Sequence, residues 1–392
     1  MTDPMKRNLY NDDHEAFRGS VAAFLDREVV PHFEQWEEDH LVDRQMWASA
    51  ARSGIIGLSI PEEFGGGGVT DFRFEMVRSE EIARRGVSAA TSGCGVSDGI
   101  VPGYLIELGT RAQKQKYLTG LTSGDMIGAI AMTEPNAGSD LQNITTKAVR
   151  DGDDWVINGA KTFITNGIHC DFVIVVARTD FEAKPSQGTS LFIVDADAPG
   201  FEKGRKLKKL GMDAQDTAEL SFSDVRVPAE ALLGELNQGF IHLMVNLPTE
   251  RLLIGSGSLA AARAALEWTA EYVFERPAFG QTIGDFQNTR FELAELETRV
   301  DAFEAFIDRC ALALNDGELT AVDAAKAKYL GSDLEIEVVN RCLQLFGGYG
   351  YMLEFPIARA YKDNRIQAIF GGANEVMKEL IGRDIAKRHR KR

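Results

Sequence analysis

Between Ile127 and about Glu235 the apolar residues of this chain recur at every second position, in short runs rich in valine and isoleucine, whereas on either side they recur at spacings of three and four. That change of period constrains the fold more than any other feature. Period two puts alternate side chains on one face of a strand, and spacings of three and four line one face of a helix. The runs Ile127 to Met132, Trp155 to Asn158, Phe172 to Val176 and Ser190 to Val194 read as strands, and Asp151-Gly152-Asp153 as a hairpin turn. No helical pattern separates the runs, so the block is expected to be an antiparallel β-domain and not a doubly wound nucleotide-binding sheet.

The flanks read as helical. His14 to Glu38 is amphipathic and broken at Pro31; Phe72 to Arg85 is a second such stretch. Between them, Pro61 to Gly68 ends in four glycines and is expected to be a loop. Ser88 to Leu108 is rich in Gly, Ala and Ser and suggests one closely packed inner helix whose small residues leave room for a ligand. Beyond Gln238, the residues Leu293, Leu296, Val300, Phe303, Ile307, Cys310 and Leu314 step by three and four, the stripe a bundle helix buries. The basic end, Lys387 to Arg392, reads as a solvated tail. The expected organisation is an N-terminal all-α domain over residues 1–126, a β-barrel-like domain over 127–236 and a C-terminal helical bundle over 237–392.

Composition removes several classes of function. A net charge of −16 leaves no basic face for nucleic acid. Four scattered cysteines without a CxxC, and six histidines without ligand spacing, exclude a disulfide scaffold and a metal centre. No apolar run reaches the roughly 18 residues of a membrane span. Met1 to Asp13 has no apolar signal core and is too acidic for a transit peptide, which reads as a bacterial cytoplasmic chain, or a mitochondrial matrix one if a leader has been removed.

Five segments carry the chemistry. Ala131-Met-Thr-Glu-Pro-Asn-Ala-Gly-Ser-Asp140 follows a strand and turns at Pro and Gly, offering a backbone bend with small polar side chains. Asn158-Gly-Ala-Lys-Thr-Phe-Ile-Thr-Asn-Gly167 is a strand with an aromatic and a hydroxyl near its end. Arg276-Pro-Ala-Phe-Gly280, followed by Gln287, offers a guanidinium fork suited to a pyrophosphate. Gln344-Leu-Phe-Gly-Gly-Tyr-Gly-Tyr351 contains glycines that permit close backbone approach, but it follows a helix, so it is not a dinucleotide fingerprint. Ile369-Phe-Gly-Gly-Ala-Asn-Glu375 is a second glycine turn, to be read with Leu247-Pro-Thr-Glu-Arg251. Gly95-Val-Ser-Asp-Gly99 is a literal GxSxG, yet it lacks the strand and parallel sheet that a nucleophile elbow requires.

Taken together, these segments and their order resemble the acyl-CoA dehydrogenase family over essentially the whole chain, and most closely its long-chain branch. The resemblance implies an α+β fold: an N-terminal helical domain, a middle antiparallel β-domain and a C-terminal four-helix bundle. It implies an FAD-dependent oxidoreductase of fatty acid β-oxidation and lipid metabolism, acting on an acyl-CoA thioester. An electron-transfer flavoprotein is the implied acceptor, and a homotetramer built as a dimer of dimers the implied assembly. By the same resemblance Met132, Thr133, Ser139, Phe163, Thr165, Arg276, Phe279, Gln287, Gln344, Gly347, Gly348, Ala373, Asn374 and Glu375 contact the flavin. Ser139, Arg251, Gly371 and Gly372 meet the substrate. Gly211 to Pro228 is assigned a structural role. Asn136 departs from the family's usual glycine and Phe163 from its frequent tryptophan.

Many family members carry the catalytic glutamate at the position of Gly371. The long-chain and isovaleryl branches carry it at the position of Glu250, and here the glycine and the glutamate occur together. The resemblance therefore implies Glu250 as the base that removes the α-proton. The Gly371 N–H would donate to the thioester carbonyl, and the β-hydride would pass to flavin N5. A desolvated carboxylate is expected to titrate above its aqueous range. Pro248 suggests that a helix starts or kinks just before the base. The alternatives are an isovaleryl-like or other branched-chain dehydrogenase, an oxidase of the same fold, a flavin-binding scaffold without catalysis and, remotely, a GxSxG serine hydrolase.

Overall fold

The structure is a computed structural model that describes residues 7–390. In chain order it runs through α1 (Asp12–Phe24), α2 (Phe33–Asp39), α3 (Gln45–Arg52), α4 (Arg73–Arg84), α5 (Ser88–Ser97), α6 (Val101–Leu108) and α7 (Arg111–Ser123). The strands follow: β1 (Gly128–Ala131), β2 (Lys147–Asp151), β3 (Asp154–Thr165), β4 (Phe172–Arg178), β5 (Thr189–Asp195), β6 (Phe201–Lys206), β7 (Thr217–Pro228) and β8 (Leu232–Leu233). Then come α8 (Gly239–Glu275), the hairpin β9 (Pro277–Ala278) and β10 (Gln281–Thr282), α9 (Gln287–Asn315), α10 (Ala321–Phe346), α11 (Pro356–Asp363) and α12 (Asn374–Arg390). Two compact units result. One comprises Met1–Leu25, Asp71–Ser88 and Leu247–Arg392; the other comprises Asp26–Thr70 and Ala89–Asn246.

The second unit is built on a sheet ordered β6-β7-β3-β2-β4-β5-β8, with β1 beside β4. The hairpin at Gly152-Asp153 forms as expected, Asp151 facing Asp154 and Gly152 taking φ +64°. The sheet departs from the all-antiparallel expectation at β4: β1, entering from α7 instead of from a neighbouring strand, runs parallel to it, and β2 meets it in parallel at Lys147 and Arg178. A β-bulge between Lys161 and Ile164, at the pairing of β3 with β7, adds a residue to β3. Phe163 takes φ +60° there and its ring turns outward, 68% exposed, while Lys161 stays inside. The small-residue stretch is two helices, not one. The chain breaks at 98–100, and Pro102 sits in the first turn of α6, where its missing N–H costs nothing.

The first unit is a helical bundle. Leu296, Val300, Phe303, Ile307 and Cys310 of α9 are buried as their spacing predicts, against Leu252, Leu259, Leu334 and Val338. Two glycines let α8 and α10 approach closely. A Cβ on Gly255 would lie 2.8 Å from the Ala327 carbonyl oxygen, and one on Gly331 would lie 2.9 Å from Phe303 Cζ and 3.2 Å from the Gly255 oxygen. The basic C-terminus is not a free tail: α12 continues through Lys387 to Arg390, and 391–392 lie outside the described residues. All four cysteines are free and buried. Among the described residues no helix is long and apolar enough to cross a membrane, and no group of side chains is arranged to hold a metal ion.

Candidate active site

The close approach of α8 and α10 sets up the first constellation. Glu250 lies inside the continuous helix α8, two residues after Pro248, so the helix neither starts nor stops there. The bundle holds the helix together across the lost N–H bond. Glu250 and Arg251 are buried, at 8% and 6% exposure. Ile254 stands one turn after Glu250, on the same face of the helix. A Cβ on Gly371 would collide with Cδ1 of Ile254, whose Cγ1 would be 3.8 Å away. A Cβ on Gly372 would lie 3.8 Å from Arg251 Nη2. Gly371 and Gly372 take φ of +62° and +96°, conformations natural to glycine. The structure thus brings Glu250, Arg251, Gly371 and Gly372 together, and Ile254 fills the space that a side chain at 371 would need.

A buried tether holds this glycine turn, and it involves a residue absent from the sequence motifs. Lys328 of α10 is fully buried and donates to Asn374 Oδ1 at 2.8 Å. Asn374 donates in turn to Ser332 Oγ at 2.9 Å and to Asp333 Oδ1 at 2.7 Å. Asn374 opens α12, so the network pins the start of that helix, and with it the turn, to α10. Burial pushes the Lys328 ammonium down to about 8, opposed by Asp333 and Glu375 and reinforced by Arg251. Burial likewise lowers Arg251, with Glu250 opposing, and among the described residues Arg251 Nε has no hydrogen-bond partner. A signal for Lys328 existed in the sequence: it falls on the stripe of Ala324, Ala327, Gly331, Leu334 and Val338, where a lysine must be buried with a partner.

A second constellation lies in the same unit. The Arg276 guanidinium sits 5.1 Å over the Tyr349 ring, so the β9–β10 hairpin meets the Gly347–Tyr351 turn that ends α10. Gly347 and Gly348 have open space where a Cβ would stand. Gln344 and Gln287 are exposed, and Phe279 is 96% exposed.

The third lies in the β-sheet unit. Met132 and Thr133 follow β1, and the Thr162 N–H donates to the Thr133 carbonyl at 2.9 Å. Beside this pair Phe163 points outward, and Thr165 Oγ1 accepts from Gln215 Nε2 at 2.8 Å. Ser139 is exposed on the bend after the turn. Behind the strand, Lys161 and Glu134 form a buried ion pair at 2.9 Å. Burial lowers Lys161 while Glu134 pulls it back. Burial alone would raise Glu134, but Lys161 and the hydrogen bonds from Thr146 and Thr145 hold it well below the carboxylate range.

Outward aromatics, glycines with free space beside them and an arginine not committed to a carboxylate suit a large, flat, phosphate-bearing cofactor, and the residues present fit a flavin dinucleotide. Ser97 does not fit a nucleophile. It ends helix α5, is buried, and its Oγ accepts the Gly128 N–H at 3.0 Å. That removes the hydrolase alternative, since an elbow needs an exposed oxygen on a strand-to-helix turn.

Comparison with known proteins identifies the family. Three family models match: the acyl-CoA dehydrogenase N-terminal domain over residues 11–125, the middle domain over 129–225 and the C-terminal domain over 237–386. The chain is 47% identical over 386 residues to the long-chain specific acyl-CoA dehydrogenase of Mus musculus mitochondria, covering 98% of this chain and 89% of that one. It is 37% identical over 379 residues to the isovaleryl-CoA dehydrogenase of Pongo abelii, covering 96% and 89%. The crystal structure of an acyl-CoA dehydrogenase from Geobacillus kaustophilus superimposes with a TM-score of 0.94 at 42% identity, covering 97% of this chain and all of that one.

Proposed function

The chain belongs to the acyl-CoA dehydrogenase family of FAD-dependent oxidoreductases, and from that premise we propose that it oxidises a long-chain acyl-CoA to the trans-2-enoyl thioester, with Glu250 as the base. The observation that carries the assignment of the base is the complementarity of two positions. A buried glutamate stands one turn from Ile254, and Ile254 occupies the space a side chain at Gly371 would take. Glu250 removes the α-proton. Glu250 is buried beside Arg251, whose guanidinium burial pushes down while Glu250 pulls it back up. The Gly371 N–H donates to the thioester carbonyl and stabilises the charge that develops on its oxygen. The Lys328–Asn374 tether keeps that N–H in place.

FAD, when bound, supplies the acceptor for the β-hydride. Arg276, Phe279, Gln287, Gln344, Gly347, Gly348, Ala373, Asn374, Glu375, Met132, Thr133, Ser139, Phe163 and Thr165 are the residues we assign to holding it. Arg251, Gly372 and Ser139 are assigned to the substrate. Electrons leave to an electron-transfer flavoprotein. The nearly fully exposed Phe279 and the exposed Tyr351 support burial against further copies of the chain, in a homotetramer. The mitochondrial location named for its mammalian relatives supports a matrix setting, with a bacterial cytoplasm as the alternative. The higher identity to the long-chain enzyme, 47% against 37% for the isovaleryl enzyme, favours a long acyl chain.

The test is anaerobic mixing with palmitoyl-CoA while following flavin absorbance, with Glu250→Gln alongside. Bleaching in the wild type and binding without bleaching in the variant are expected, a loss of about 10²–10⁴ in rate. No bleaching with palmitoyl-CoA, but bleaching with isovaleryl-CoA, would overturn the long-chain reading. Equal bleaching in both proteins would overturn the base. Oxygen uptake during turnover distinguishes an oxidase.

A further inference from the structure

We propose that Lys161 is a positioning residue for the flavin, its ammonium group fixing the Met132–Ala137 turn from behind the strand that presents Phe163. The inference rests on the reading that Met132, Thr133 and Phe163 face the cofactor. Lys161 Nζ donates to the Met132 carbonyl oxygen at 3.0 Å and to Glu134 Oε1 at 2.9 Å. Glu134 also accepts from Thr145 N at 2.6 Å, Thr145 Oγ1 at 2.7 Å and Thr146 N at 2.9 Å. The turn closes on itself through Glu134 N to Ala137 O at 3.0 Å and Ala137 N to Glu134 O at 3.1 Å. Both charged side chains are removed from solvent, at 0% and 2% exposure.

A buried ion pair is a weak source of stability, because desolvation offsets the attraction and an apolar pair of similar size often does as well. What this pair supplies is direction. One ammonium grips a main-chain oxygen on one side of Thr133 and a side chain on the other, so the backbone of Thr133 is held between two fixed points. The β3 bulge places Phe163 two residues from Lys161 and on the outer side, while Lys161 remains inside. Strand and turn are thereby locked into one surface. Motions of the turn relative to the Phe163 ring, which a flavin would sense as loss of fit, are suppressed by groups that need never touch it.

The experiment compares FAD binding to apoprotein for wild type, Lys161→Met, Glu134→Gln, and Phe163→Ala, by quenching of flavin fluorescence. The vibronic resolution of the bound flavin band and the thermal midpoint of each apoprotein are recorded as well. Lys161→Met is expected to bind FAD at least tenfold more weakly with a less resolved band; its apo midpoint falls because Glu134 is left buried without its cation, and adding Glu134→Gln restores the midpoint but not the FAD affinity. Glu134→Gln, which leaves the bond to Met132 in place, is expected to weaken binding by a smaller factor. An FAD affinity within twofold of wild type in Lys161→Met overturns the proposal. Should Lys161→Met fail to fold, unchanged affinity and band shape in Glu134→Gln overturn it instead. If Phe163→Ala binds FAD as wild type does, the assignment of this face to the flavin fails, separately from Lys161.

Discussion

Alanine at position 371 tests the argument that this chain cannot carry a side chain where many relatives carry their catalytic glutamate. Gly371 has φ +62°, and a Cβ in that region costs roughly 1–2 kcal/mol. The added atom also meets Cδ1 of Ile254, which must leave its rotamer at a cost of about 0.5–1.5 kcal/mol. The reduced freedom of the unfolded chain returns about 0.4–1 kcal/mol. Gly371→Ala is therefore expected to destabilise by about 1–3 kcal/mol. Ile254→Val removes the one atom in the way and leaves Cγ1 at 3.8 Å, an ordinary contact. In that background the alanine should cost less by about 1 kcal/mol, the backbone part being unchanged. Thermal midpoints with FAD saturating would show this as a difference of about 1–2 °C between the two backgrounds. An identical drop with and without Ile254→Val would refute the reasoning, because Ile254 would then not oppose position 371. The functional corollary follows: Glu250→Gly with Gly371→Glu should recover little flavin reduction until Ile254→Val is added.

Asn374→Ala leaves the buried Lys328 ammonium without its acceptor, and should destabilise by about 2–4 kcal/mol. Lys328→Met added to it should recover most of that loss, as chemical denaturation of the single and double variants will measure. Glu335 is buried in the bundle, where desolvation first, and Asp363 further, raise it to about 8, with the Ser258 hydroxyl acting in the lowering direction. A folded-state value above the ordinary 4.5 means that stability is full below that pH and falls as pH rises from about 4.5 to about 8. Glu335→Gln should match wild type near pH 4.5 and exceed it at pH 9, and a pH-independent difference in thermal midpoint would contradict the assignment.

Much of the fold was legible because it rests on periodicity. The α9 stripe from Leu296 to Cys310 and the hairpin at Gly152 need only local geometry to specify them, and both lie where their spacing and turn chemistry place them. The family and its chemistry were legible because motifs are runs of adjacent residues, and the pairing of Gly371 with Glu250 can be read without coordinates. What depended on distant packing was not. The break between α5 and α6, the parallel pairing of β1 with β4, and the continuation of α8 through Pro248 are decided by partners far away in sequence. Lys161 looks in sequence like an ordinary lysine on a strand, and for Lys328 the helical stripe signals burial but not the partner. Only the tertiary structure encloses their ammonium groups and supplies Met132, Glu134 and Asn374 as acceptors, because burial is a property of what surrounds a residue and not of the residue itself. Likewise, sequence alone shows a glycine at 371 together with a glutamate at 250; the three-dimensional packing of Ile254 against Gly371 decides that position 371 has no room for a side chain.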